Sequence, residues 1–136
     1  MQANGALRPL RIALLILGPL LIAALPIFSF IWPAGWNWDA TGRSAYPLMV
    51  MGVYATLGVF LLRAARDPLA SVTLLWFTVW SSVVHAAIML VLVFVVPGQS
   101  GHLLGDVPAL LVIAGVLAAL VRRATVASTS TMGATS

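Results

Sequence analysis

From Leu69 to Val96 the chain is apolar almost throughout and carries no formal charge. A run of that length is enough for one helix to cross the hydrocarbon core of a bilayer, which takes about 20 residues. Within it lies Trp76-Phe77-Thr78-Val79-Trp80-Ser81-Ser82-Val83-Val84-His85-Ala86-Ala87-Ile88-Met89, which places hydroxyls and an imidazole in an otherwise apolar segment. A polar group at membrane depth is costly unless it meets a partner, so these residues need explaining. The rest of the chain fits the same solvent. Of its 136 residues, 62% are hydrophobic and 7% charged. Soluble domains carry about 25% charged residues, and so few charges could not cover a water-facing surface.

Three further apolar runs accompany the first, giving spans at about 9–32, 46–63, 69–96 and 102–121. The expected fold is an all-α integral membrane four-helix bundle occupying residues 1–123. Met1 to Leu7 reads as a short polar lead. The run after Arg8 and Arg11 is too long for a signal-peptide core and no Ala-x-Ala-like site follows it, so it reads as a retained helix. Pro19 and Pro26 sit inside it, which membrane helices tolerate where neighbours satisfy the freed carbonyls. Pro33 to Ala45 is a loop whose Trp36 and Trp38 suit the headgroup zone. Asp67 and Pro68 read as the cap and first turn of the third helix. Residues 124–136 form a polar Ser/Thr-rich tail with little to bury, and disorder is its default.

The net charge of +4 comes from seven arginines against three aspartates. Arg8, Arg11, Arg63, Arg66, Arg122 and Arg123 fall on one side of a four-span chain, and Arg43 on the other. The positive-inside rule then puts both termini in the cytoplasm. Arginines paired at helix ends also argue against nucleic acid as a partner. Without cysteine, disulfides, thiol catalysis and thiolate metal sites are excluded.

Candidate binding residues cluster on the third helix. Thr78, Ser81, Ser82, His85 and Met89 share a face at three- and four-residue spacing, and Trp80 lies beside them. His85 should sit on the order of 16 Å along the axis from Val96. Its imidazole needs a donor and an acceptor partner, for which Ser81 or Ser82 one turn earlier could serve, or a group on another helix. The site then either handles a proton or ligand, or simply clamps two helices. Further out, His102 and Asp106 are four apart and would stack on one helix, although Asp106 before Val107-Pro108 also reads as a cap. Asp106 should lie about 10 Å above His85, too far for direct contact. Two histidines at different depths do not make a bis-histidine haem site, and two histidines with three scattered aspartates do not assemble a metal site. No phosphate loop, catalytic triad or lysine is present. Neither an enzyme nor a cofactor is expected.

The small residues Gly52, Ala55, Thr56 and Gly58 on the second span, and Ala114, Gly115, Ala118 and Ala119 on the fourth, invite close helix packing. The stretches Gly52 to Leu69, Trp76 to Ala86 and His102 to Leu110 resemble a family of small bacterial four-span membrane proteins of unknown function, and more loosely the DoxX-like four-helix membrane proteins. In that family a carboxylate often follows the tyrosine matching Tyr46; Pro47 stands here, which weakens a proton relay at that position. The resemblance implies the bundle, the bacterial inner membrane as its location, and no activity. The DoxX-like similarity would imply an accessory role beside redox enzymes.

Three functions are compatible with this reading. The first is a non-enzymatic accessory or scaffold subunit, packed against itself or larger membrane subunits. The second is a small transporter or ligand-binding module using His85, Ser81 and Ser82, with Asp106 at the outer mouth. The third is a redox accessory binding quinone near the Trp76, Trp80 and His85 face. A dry, packed His85 favours the first; an open path between Asp106 and His85 favours the second.

Overall fold

The computed structural model describes residues 2–32, 46–98 and 100–133. The aromatic loop with Trp36, Trp38, Asp39 and Arg43 lies outside the described residues. Four α-helices are present: α1 Gln2–Ile31, α2 Tyr46–Ala64, α3 Val72–Val95 and α4 Asp106–Gly133, with a 3-10 turn at Ser100–Leu103 before α4. Among the described residues α1, α3 and α4 are long and apolar enough to cross a membrane, while the apolar part of α2, Leu48–Ala64, is shorter.

The helix boundaries differ from the sequence expectation in three places. First, α1 starts at Gln2 and runs through Pro9, Pro19 and Pro26 without breaking. Second, α3 begins at Val72, because the residues before it are taken up by a turn. There the Asp67 carboxylate accepts the Ala70 N–H at 3.2 Å, so Asp67 caps the turn and not the helix. Third, α4 continues through the Ser/Thr-rich tail to Gly133. Ala124 is buried there, and Thr125, Ser128, Thr129 and Ser130 return their hydroxyls to carbonyls three or four residues back. The hydroxyls thus satisfy themselves on the helix in place of competing with it.

The helices alternate in direction, so the start of α1, the end of α2, the start of α3 and the end of α4 meet at one end. Leu10, Leu14, Leu61, Ala64, Leu75, Leu117, Val121 and Ala124 form one buried core there. The arginines gather at the same end: Arg11 donates to the Arg66 carbonyl at 3.4 Å, and the Arg122 guanidinium lies 5.8 Å from the centre of the Trp76 ring.

Helix α1 packs along α2 and also against α4, and α4 packs along α3. Among the described residues α2 and α3 share almost no backbone contact. The bundle is therefore a row bent towards closure, α2–α1–α4–α3, with a seam between its outer members. Side chains exposed on its outside are large and apolar, among them Phe30, Val53, Phe77, Trp80, Phe94 and Val112. In water this surface would aggregate; in lipid it is solvated.

The α1–α2 contact is closest at Gly18 and Gly58. A Cβ on Gly58 would lie 2.5 Å from the Gly18 carbonyl oxygen, and one on Gly18 would lie 2.9 Å from that of Gly58. Of the small residues read as packing positions, Gly58 is thus at a crossing, while Gly52 and Gly115 face open space. At the arginine end Leu117 is fully buried. Leu117→Ala should cost about 2 kcal/mol in reversible detergent unfolding. That is the low end of the range for such truncations, because lipid removes the water-transfer part and leaves the cavity part.

Candidate functional site

The other half of the bundle is built differently. Beyond Leu21 the four helices do not close on a solid core but surround a cavity of about 250 Å³. Its wall is mostly aliphatic, with Leu20, Leu21, Ala24, Val50, Leu110 and Ile113, and carries the polar residues Ser29, Tyr54, His85 and Asp106. Each helix contributes: Ser29 from α1, Tyr54 from α2, His85 from α3, and Asp106 from the first turn of α4.

His85 does not find its partner on its own helix. Its Nδ1 shares a hydrogen bond with the Tyr54 hydroxyl at 2.5 Å, across the seam between α2 and α3, with the rings 5.8 Å apart and tilted by 41°. Ser81 turns its hydroxyl to the Thr78 carbonyl, and Thr78 turns to that of Leu74. Ser82 is buried on the neighbouring stripe with Leu75, Val79, Ala86 and Met89, which faces into the bundle. Trp80 is 63% exposed and is not among the residues lining the cavity. Of the residues singled out from the sequence, His85 and Asp106 thus meet at the cavity, while Ser81, Ser82 and Trp80 do not line it.

Asp106 also faces the 3-10 turn. Its Oδ1 lies 3.1 Å from Nδ1 of His102, whose side chain is 1% exposed. The stacked imidazole–carboxylate pair therefore forms, although His102 belongs to the turn and not to α4. Gly98, with φ of 86°, provides the left-handed corner after Pro97 that sends the chain back over the bundle to bury His102. Asp106 and His85 line one cavity, the kind of opening between them that the ligand-binding alternative calls for.

Tyr54 is the site residue that sequence reasoning passed over. Its signal was available: a phenol at mid-helix needs a partner for its O–H. Tyr54 lies about 12 Å along α2 from Tyr46, and His85 about 15 Å along α3 from Val95. The two helix ends face the same side, so the depths match to within one turn.

A second hollow of about 390 Å³ also borders the Tyr54–His85 bridge. It is lined by Met49, Val50, Val53, Leu57, Phe77 and Ser81 together with Tyr54 and His85. Towards the arginine end neither hollow continues, because Leu14, Leu61, Leu75 and Leu117 are fully buried against one another. Among the described residues no group of three or more His, Asp or Glu side chains is arranged to hold a metal ion.

No curated protein and no solved structure matches this chain. A family model does, over residues 5–135, which takes in all four helices and the polar cavity. The chain belongs to that family, DUF6632, a family of unknown function.

Proposed function

We propose that this is a membrane protein that binds a small, mainly apolar ligand in the cavity between its four helices, with Tyr54, His85 and Asp106 supplying the polar contacts. The observation that carries this reading is the cavity itself. An apolar pocket with a few convergent polar groups is the usual form of a small-molecule site. A helix clamp needs the Tyr54–His85 bond alone and gains nothing from space beside it. The solid core at the arginine end argues for a site reached from one side and against a through-channel. Binding without catalysis is proposed, with the hydrogen-bonded Tyr54–His85 pair serving as polar contacts for the ligand.

In this reading all four helices span the inner membrane of a bacterium, with both termini in the cytoplasm and the cavity in the outer half of the bilayer. The shorter α2 sits at the lower end of the spanning range of about 17–25 residues. A second reading, an accessory or scaffold subunit of a larger membrane complex or homo-oligomer, has one observation in its favour. Gly115 and Ala119 lie on an exposed face of α4 with open space in front of Gly115, which suits a second helix.

Gentle detergent extraction followed by mass analysis separates the two. The binding reading expects one small molecule at a fixed ratio per chain, lost in His85→Ala. Stoichiometric larger membrane subunits with no small molecule would instead establish the accessory reading.

A further inference from the structure

We infer that the ligand is an isoprenoid quinone or its quinol, with its head in the inner cavity and its tail leaving through the seam between α2 and α3, so that the site is loaded sideways from the bilayer. The inference rests on the binding reading above and names its ligand class and route.

The route follows from the two hollows. Tyr54 and His85 line both, so their bridge is the partition between the inner cavity and the lipid-facing groove. The backbones of α2 and α3 hardly touch, and one side-chain hydrogen bond spans the seam. An interhelical hydrogen bond in a membrane is worth about 0.6–2 kcal/mol, which thermal motion breaks readily. The groove outside it is apolar apart from Ser81, and the unbranched Met49 can yield to a chain. Val53 and Phe77 are 68% and 62% exposed, so the groove opens directly to the acyl region.

The head is identified by charge and by the spread of polar groups. Among the described residues no arginine lines the cavity, and the arginines of the described helices stand at the other end of the bundle. A phosphate or carboxylate head would meet Asp106 with no arginine among the described lining residues to offset it. A cationic head would find one carboxylate, already paired with His102. The described lining therefore suits a neutral head. Polar side chains are offered by all four helices, through Ser29, Tyr54, His85 and Asp106, in a wall otherwise mostly aliphatic. A flat ring with oxygens at opposite edges fits that arrangement. Tyr54 and Asp106 can each exchange roles with a carbonyl or a hydroxyl, which accommodates quinone and quinol alike.

The chain has no cysteine, so a pair can be introduced cleanly. The full-length Val53→Cys/Phe77→Cys protein is placed in phosphatidylcholine nanodiscs and loaded with deuterated ubiquinone-2. Excess unlabelled ubiquinone-2 is then added, and retained label is followed by mass spectrometry, before and after bridging the two thiols with a bifunctional maleimide. The expected result is fixed-ratio loading of the unbridged protein, with exchange slowed at least tenfold by the bridge. Loading with exchange unchanged by the bridge overturns the sideways route and leaves the cavity reading standing. No loading of the unbridged protein, or a fatty acid or phospholipid found in the extracted protein in place of a quinone, overturns the ligand class. The cavity reading itself falls if extraction yields no bound small molecule at all.

Discussion

Gly58→Leu should unfold the α1–α2 pair. The first atom of any side chain at that position would sit 2.5 Å from the Gly18 carbonyl oxygen and 2.8 Å from Cγ1 of Ile22. The isoleucine could rotate away, but the backbone oxygen cannot move unless the helices separate. Overpacking of a close contact costs about 1–3 kcal/mol and sometimes more. A rigid backbone clash belongs at or above the top of that range, so a loss of at least ~3 kcal/mol is expected. Gly52→Leu and Gly115→Leu provide the contrast, because nothing lies within 4 Å of a Cβ at either position. Both should stay within about 0.5 kcal/mol of the parent, as surface substitutions do. Reversible unfolding in mixed micelles measures all three. Equal losses at Gly58 and Gly52 would mean that the crossing is not where the structure places it.

Asp106→Leu should be the most damaging change in the outer half. The carboxylate faces the buried His102 at 3.1 Å, and it sits where α4 begins. Removing one member of a buried pair leaves the other facing an apolar side chain, at a cost of about 3–5 kcal/mol. Replacing both members with well-packed apolar residues is often nearly neutral. His102→Leu/Asp106→Leu should therefore recover most of the stability lost in the single variant, and a double-mutant cycle on melting in detergent reads the coupling directly. Ligand binding should not recover with it, because the α4 side of the cavity has lost its polar contact. Recovery of both would assign Asp106 to stability alone.

The helices were legible because long apolar runs are easily read. Charge-free runs mark helices, and paired arginines at alternate ends state which ends meet, as the Arg11–Arg66 contact bears out. The site was half legible. His85 and Asp106 stand out because they are ionisable groups in apolar surroundings. Asp106 meets His102 as its spacing suggested, and of the partners open to His85 the structure takes the group on another helix. Ser81 and Ser82 lie one turn from His85, yet Ser81 is bonded to the backbone and Ser82 faces another stripe. Tyr54 comes from a different helix and is found by matching depths, not spacing. Trp80 was drawn in by sequence proximity, whereas the 3.6-residue period turns it outwards. The tail was taken for disorder from composition, but serine and threonine can close hydroxyl–carbonyl bonds along a helix already held by Ala124 and Val121.

Substitution of Ala109 tests the central claim most directly. Ala109 lines the cavity on α4 between Asp106 and Leu110 and bears no polar side chain. Ala109→Phe fills the cavity while leaving Tyr54, His85 and Asp106 in place. The measurement is the amount of bound small molecule per chain after gentle extraction, beside the melting temperature of the same sample. The account predicts at least a tenfold loss of bound molecule with melting unchanged or raised. Full occupancy in a well-folded Ala109→Phe protein would contradict it, for the ligand would then lie elsewhere.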